Sequence, residues 1–190
     1  GEHLYGDHTI DESVGDFGLI NLGVENIPAM VTRGLCLDVS GLDGGEHLAA
    51  GRPISADDLQ RVCEACDVAP QPGDVVLLNT GWGRYFMTDN ATYLEGEPGL
   101  DEGGAKWLTS QGVVGIGADN MALEVLPGTN HPAVMMPVHQ HCLVEAGVHI
   151  IENMALGELV QKGITAFCFV VLPVKFKGAT GCPVRPIAIL

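Results

Sequence analysis

Apolar positions along the chain change period several times, and each change marks an element. Leu35, Leu37 and Val39 alternate with their neighbours, the two-residue period of a strand. Ser55-Ala-Asp-Asp58 is a capping box that opens a helix, and on it Leu59, Val62, Cys63 and Cys66 fall at i, i+3, i+4 and i+7 as one apolar stripe. Pro72-Gly73 predicts a turn, and residues 74–79 form a continuous apolar run of the kind found in a strand buried on both faces. Gly81, Gly83, Gly96 and Gly99 bracket a long loop. The spacing then predicts a helix over 101–111 and a buried strand over 113–117 that ends at Asp119. A helix near 140–146, a strand over 148–151, a helix near 156–162, and strands over 166–174 and 184–190 complete the series. Residues 1–32 read as loop-dominated, and the segment from Ala122 to Pro137, with three prolines and a glycine, fits no element.

Strands alternating with helices predict a single α/β domain over residues 1–190, with a mostly parallel or mixed sheet. The composition supports a packed core, since 46% of the 190 residues are hydrophobic. The net charge of −15 and pI near 4.6 argue against nucleic acid and anionic membranes as partners. That charge is uneven: residues 1–110 hold 19 acids and 5 bases, whereas residues 111–190 hold 5 and 4. The second part therefore reads as the more deeply buried. The longest uncharged apolar stretch, 164–174, falls short of the roughly 20 residues that span a bilayer. Glu2, His3 and Asp7 stand where a signal peptide would need basic then apolar residues. Six cysteines without a disulfide-like spacing fit a reducing, cytoplasmic setting.

Several groups carry candidate chemistry. Cys63-Glu-Ala-Cys66 has metal or redox spacing, but both sulfurs fall on the apolar helix stripe, so it reads as core. The glycines of 112–117 lie within a strand, where small residues admit close packing and a phosphate cradle is poorly placed. Residues 177–185 could offer backbone N–H groups, and Arg185 a guanidinium, to an anion, although a tight hairpin-like connection explains them as well. His139-Gln-His141 precedes a strand on which Val148, Ile150 and Glu152 share one face, so an apolar strand delivers a carboxylate at its C-terminal end. Asp119 arrives in the same way at the end of its own strand, the edge at which ligand clefts of α/β sheets open. Two acids and one or two histidines converging there suit a divalent ion or acid–base work. A hydrogen-bonded structural role for His139, and helix capping near Asn153, explain the same residues without chemistry.

Five pieces in order carry a resemblance: Pro72-Gly-Asp-Val-Val-Leu-Leu-Asn-Thr-Gly-Trp82, Val114-Gly-Ile-Gly-Ala-Asp119, Pro137-Val-His-Gln140, Gly147-Val-His-Ile-Ile-Glu-Asn153 and Gly178-Ala-Thr-Gly-Cys-Pro-Val-Arg-Pro-Ile-Ala188. Together they resemble the cyclase family of metal-dependent hydrolases, the group that contains bacterial kynurenine formamidase and isatin hydrolase. The resemblance implies a swivelling β/β/α domain that hydrolyses an amide or cyclic amide with a metal-bound hydroxide, the metal being zinc or manganese. It also implies that His139 and Glu152 are catalytic and metal-binding, and that Trp82 and Asp119 bind substrate. A small amide or lactone is the implied substrate, and a homo-oligomer, dimer or tetramer, the expected assembly.

The sequence departs from the family at one place. Members carry H-x-G-T-H-x-D upstream of a segment resembling Leu4-Tyr5-Gly6, whereas His3, His8 and Asp11 do not reproduce that spacing. The remaining metal ligands are therefore expected upstream of Gly1, and the chain alone is expected to bind metal poorly. Cys182 replaces a more usual serine, and His141 has no counterpart. Two readings follow: the larger part of a hydrolase whose metal motif lies outside this chain, or a non-catalytic module of the same fold that binds a small molecule or a partner subunit.

Overall fold

The computed structural model describes residues 3–128 and 136–190. The amino-terminal stretch holds only short pieces: a 3-10 turn at Tyr5–Asp7, α1 (Ile10–Ser13), and a hairpin of β1 (Val14–Gly15) with β2 (Gly18–Leu19). Regular structure starts at β3 (Met30–Asp38), which begins five residues before the predicted alternation at Leu35 because Met30–Leu35 pair with an antiparallel neighbour. There follow β4 (Pro53–Ile54), α2 (Ala56–Ala65), β5 (Val75–Asn79), α3 (Asn90–Leu94), β6 (Gly99–Leu100), α4 (Glu102–Ser110), β7 (Gly115–Ala118), α5 (Pro137–His139), β8 (His149–Ile151), α6 (Gly157–Gln161), β9 (Ala166–Val171) and β10 (Ile187–Ile189).

Six of these strands make one mixed sheet in the order β10-β9-β3-β5-β7-β8. Strands β3, β5, β7 and β8 are mutually parallel, β9 runs antiparallel to β3, and β10 antiparallel to β9. The register explains why the central strands are apolar throughout. Leu35, Leu37, Val76, Leu78, Ile116 and Ala118 share one face and pack under α2, α4 and the helix of 137–146. Cys36, Val75, Leu77, Ile151, Phe167 and Phe169 occupy the other face, where Met154, Leu156 and Leu159 lie over them. Successive side chains point to opposite faces of a sheet, so a run such as Val75–Asn79 is buried at every position.

The glycines of β7 serve packing, as their place in a strand predicts. A Cβ on Gly117 would lie 2.8 Å from Leu77 Cδ2 and 2.9 Å from the Ile151 carbonyl oxygen, so Leu77 crosses the strand at that point. The outer strands are shorter than the apolar runs that predict them. Strand β9 stops at Val171 before Pro173, and β10 starts after Pro186, because proline offers no N–H to a ladder and fixes φ. The connection 172–186 is accordingly longer than a tight hairpin. Its Gly178 amide donates to both oxygens of Glu25, each at 3.1 Å, so the anion received there is an internal one.

Two further expectations are corrected. Cys66 is exposed at the C-cap of α2, outside the buried stripe of Leu59, Val62 and Cys63, because the helix ends one residue before it. The helix predicted over 140–146 is a π-helix that continues from α5. Of the unassigned segment 122–137, residues 129–135 lie outside the described ones, and 122–128 cross beside β6 without joining a strand. Among the described residues no helix is long and apolar enough to cross a membrane.

The capping box of α2 forms as its sequence predicts: Ser55 Oγ accepts from the Asp58 amide at 3.2 Å, and Asp58 Oδ2 accepts from the Ser55 amide at 3.0 Å. Asp58 also holds Arg52 and Arg61. Ser55→Ala should therefore cost about 1 kcal/mol, read as a lower midpoint in urea with an unchanged slope; an unshifted midpoint would show that the Arg52 and Arg61 contacts hold the helix start without the hydroxyl.

Candidate active site

Parallel pairing brings the carboxyl ends of β3, β5, β7 and β8 to one edge, and each ends on or just before a polar side chain: Asp38, Asn79, Asp119 and Glu152. Asp38 and Asn79 pair with each other, the Asn79 amide donating to Asp38 Oδ1 at 2.9 Å. Asp119 is buried and fully engaged. Its Oδ1 accepts from the Thr80 amide at 2.8 Å and the Thr80 hydroxyl at 2.7 Å, and its Oδ2 from the Gly83 amide at 3.2 Å. Burial raises the pKa of its carboxyl, while these donors pull it back down. Asp119 thus fastens the turn after β5, which carries Trp82.

Trp82 is 4% exposed. Its ring meets Tyr85 edge-on with centroids 4.9 Å apart, and His47 lies at 6.1 Å. The His47 ring is itself fixed, Nδ1 lying 2.9 Å from the Leu48 carbonyl and Nε2 3.1 Å from the Tyr85 hydroxyl. A carbonyl only accepts, so Nδ1 carries the proton and the Tyr85 hydroxyl donates to Nε2.

Glu152 follows β8 and is held by the turn behind it. Asn153 takes a left-handed conformation (φ 55°); its amide donates to the Asn120 carbonyl and the Met154 amide to the Ala118 carbonyl, each at 2.9 Å. The Tyr93 hydroxyl donates to Asn153 Oδ1 at 2.5 Å. Burial, then the negative charges of Glu97, Asp119 and Glu152, push the Tyr93 phenol up to about 12, which keeps it a donor.

His139 enters from the other side, at the first turn of the helix of 137–146. Its Nε2 lies 3.4 Å from Glu152 Oε1, and its Nδ1 lies 2.7 Å from Glu124 Oε2. Hydrogen bonding to Glu124 first, then to Glu152, raises the imidazole to about 9 against the opposing effect of burial. The structure thus brings His139 and Glu152 together and places Trp82 and Asp119 side by side on the neighbouring turn. His141 points elsewhere, to Glu145 at 2.7 Å and the Thr109 hydroxyl at 2.8 Å. Among the described residues no group of three or more His, Cys, Asp or Glu side chains is arranged to hold a metal.

Sequence reasoning passed over three residues here: Glu124, Glu97 and Tyr93. Glu124 lies in the segment that fits no period, and Glu97 and Tyr93 lie in the long glycine-bracketed loop, so neither pattern nor spacing marks them. A retrospective signal exists for Glu124, which sits alone among apolar residues. Glu97 is fully buried and accepts from the Met121 amide at 2.9 Å and the Ala122 amide at 2.7 Å. It therefore anchors the segment that leads to Glu124.

The Cyclase family model, described as "Putative cyclase", matches residues 3–125, and the chain belongs to that family. No curated protein sequence matches it. The solved structure of a novel cyclase aligns over 100% of this chain and 65% of its own, at 28% identity and a TM-score of 0.87. An isatin hydrolase bound to the product analogue thioisatinate aligns over 93% of this chain and 64% of its own, at 20% identity and a TM-score of 0.69. Isatin hydrolase A from Labrenzia aggregata, bound to benzyl benzoate, aligns over 88% and 65%, at 20% identity and a TM-score of 0.71. The two isatin hydrolases share the fold with this chain, which spans just under two thirds of each of these structures.

Glu97 gives the site a measurable pH dependence. Burial raises its carboxyl from 4.5 to about 7, so between those values the folded chain holds a proton that the unfolded chain releases. Folding is then favoured at low pH, and stability falls as pH rises through the window. The unfolding free energy of the wild type, relative to Glu97→Gln, should drop by up to about 3 kcal/mol between pH 4.5 and 7; parallel pH profiles in urea titrations would show that Glu97 does not titrate there.

Proposed function

We propose that this chain forms the part of a metal-dependent hydrolase that carries His139 and Glu152, and that the enzyme opens an amide, cyclic amide or lactone. The observation that carries this reading is the 3.4 Å approach of His139 Nε2 to Glu152 Oε1 at the carboxyl edge of the sheet. Membership of the Cyclase family supports it, as do the isatin hydrolases and a potential metal-dependent hydrolase with cyclase activity among structures of the same fold.

An imidazole nitrogen and a carboxylate oxygen are donors that zinc and manganese both accept. Two donors do not close a coordination sphere, so the reading requires further ligands from outside the described residues. A bound ion there would supply Lewis acidity and a lowered water pKa. The chain's own groups do the rest. Glu152, with its side chain 36% exposed, is open to take a proton, and His139 supplies the partnering imidazole. Asp119 sets the turn that bears Trp82, whose buried ring packs edge-on against Tyr85, and aromatic residues beside His139 and Glu152 support an aryl amide of the arylformamidase or isatin type as the substrate class.

A cytoplasmic setting belongs to the same proposal, supported by six free cysteines. So does a homo-oligomer, supported by the exposed apolar edge strand β10, where Ile187 and Ile189 are half exposed.

The test is hydrolysis of N-formylkynurenine and of isatin by the enzyme that carries the full set of metal ligands, with added zinc or manganese. Glu152→Gln should lower kcat/KM by about 10²–10⁴-fold, with the unfolding midpoint held. Unchanged turnover would remove Glu152 from the mechanism.

A further inference from the structure

We propose that Glu124 is a positioning residue that holds the proton on His139 Nδ1, so that Nε2, facing Glu152, is the nitrogen left bare whenever the ring is neutral. The inference rests on the reading of His139 and Glu152 as the reacting pair.

Three observations carry it. First, Glu124 Oε2 receives two contacts from one residue: the His139 backbone amide at 3.0 Å and the His139 Nδ1 at 2.7 Å. The pair of contacts fixes both the position of the ring and its rotation. Second, both ring nitrogens face a carboxylate, which offers lone pairs only. Nδ1 lies 2.7 Å from the buried Glu124 whereas Nε2 lies 3.4 Å from Glu152, whose side chain is 36% exposed, so the neutral ring keeps its hydrogen on Nδ1. The opposite tautomer would set the Nδ1 lone pair against the oxygen lone pair in a site where Glu124 is 2% exposed and water cannot relieve the clash. Third, the carboxylate is held from behind. Its backbone bridges to Leu100 in β6, and a Cβ on Gly99 would come within 2.4 Å of the Glu124 carbonyl carbon and 2.5 Å of the Leu123 oxygen. Only a glycine there lets the segment approach this closely.

Capping alone does not account for the choice of residue. The amide of His139 is the third in its helix, and a local Ser, Thr or Asp just before the helix would normally serve it. Here the residue preceding the helix, Met136, gives no side-chain cap. A buried carboxylate brought from 15 positions upstream does so instead, at a desolvation cost that a cap does not require. The ring contact is what a carboxylate adds. Carboxylate partners on the far nitrogen of a ligating or acid–base histidine fix its orientation in this way.

The test uses the full chain labelled with ring ¹⁵N-histidine. Two-bond ¹H–¹⁵N correlations are recorded above the titration of His139, whose signals are identified by their loss in His139→Gln. The wild type should show a protonated Nδ1 and a bare Nε2, opposite to the preference of a free histidine side chain. Glu124→Gln keeps an acceptor oxygen and should keep that pattern, while Glu124→Leu should convert it to Nε2–H. A wild type with Nε2–H overturns the proposal, and that measurement stands even if Glu124→Leu does not fold. A folded Glu124→Leu with the pattern unchanged also overturns it, because a helix cap would lose stability and leave the tautomer alone. The predicted tautomer together with unchanged turnover of Glu152→Gln in the enzyme carrying its full ligand set would support the positioning role and overturn the reacting-pair reading.

Discussion

The register of four parallel strands is the constraint from which the candidate site follows. Because β3, β5, β7 and β8 run the same way and pair without offset, their carboxyl ends reach one edge, and the first polar residue after each apolar run lands beside its neighbours. Gly117 makes that register possible by letting Leu77 and Ile151 close over β7. A strand shifted by one residue would turn Leu35, Leu37, Val76 and Leu78 away from the helices, so burial of the apolar face enforces the alignment of the polar ends.

Gathering acids at that edge is costly, and the fold offsets the cost with donors. Asp119 takes the amides of Thr80 and Gly83, Glu97 those of Met121 and Ala122, and Glu124 that of His139. Each buried carboxylate thus ties two segments together, since its hydrogen bonds reach a different part of the chain from its own backbone. Glu152 differs in having its side chain partly open, and it faces the imidazole of His139. The difference in environment separates the acids that hold the frame from the one left partly open at the sheet edge.

The two faces of the sheet are unequal. Helices α2 and α4 and the helix of 137–146 cover the face of Leu35 and Leu37. Over the opposite face α6 leaves a cavity of about 330 Å³ between Leu77, Leu156, Leu159, Phe167, Phe169 and Ile187. Ile189 and Leu190 remain exposed beside it. The aligned cyclase structure, of which this chain spans 65%, has more polypeptide than this sequence contains.

The sequence by itself determined the central elements, because their signals are local. The two-residue alternation at 35–39, the capping box at Ser55 and the apolar run at 75–79 depend on neighbours a few positions away, and each formed as its pattern predicts. The ordered motifs also identified the family and pointed to His139, Glu152, Trp82 and Asp119. Tertiary structure alone decided what these residues touch. Glu124 meets His139 across 15 positions and Tyr93 meets Asn153 across 60, and both partners come from segments without periodicity. A hydrogen bond between distant loops leaves no repeat in the sequence, since its register is set by how the intervening strands and helices pack rather than by spacing along the chain.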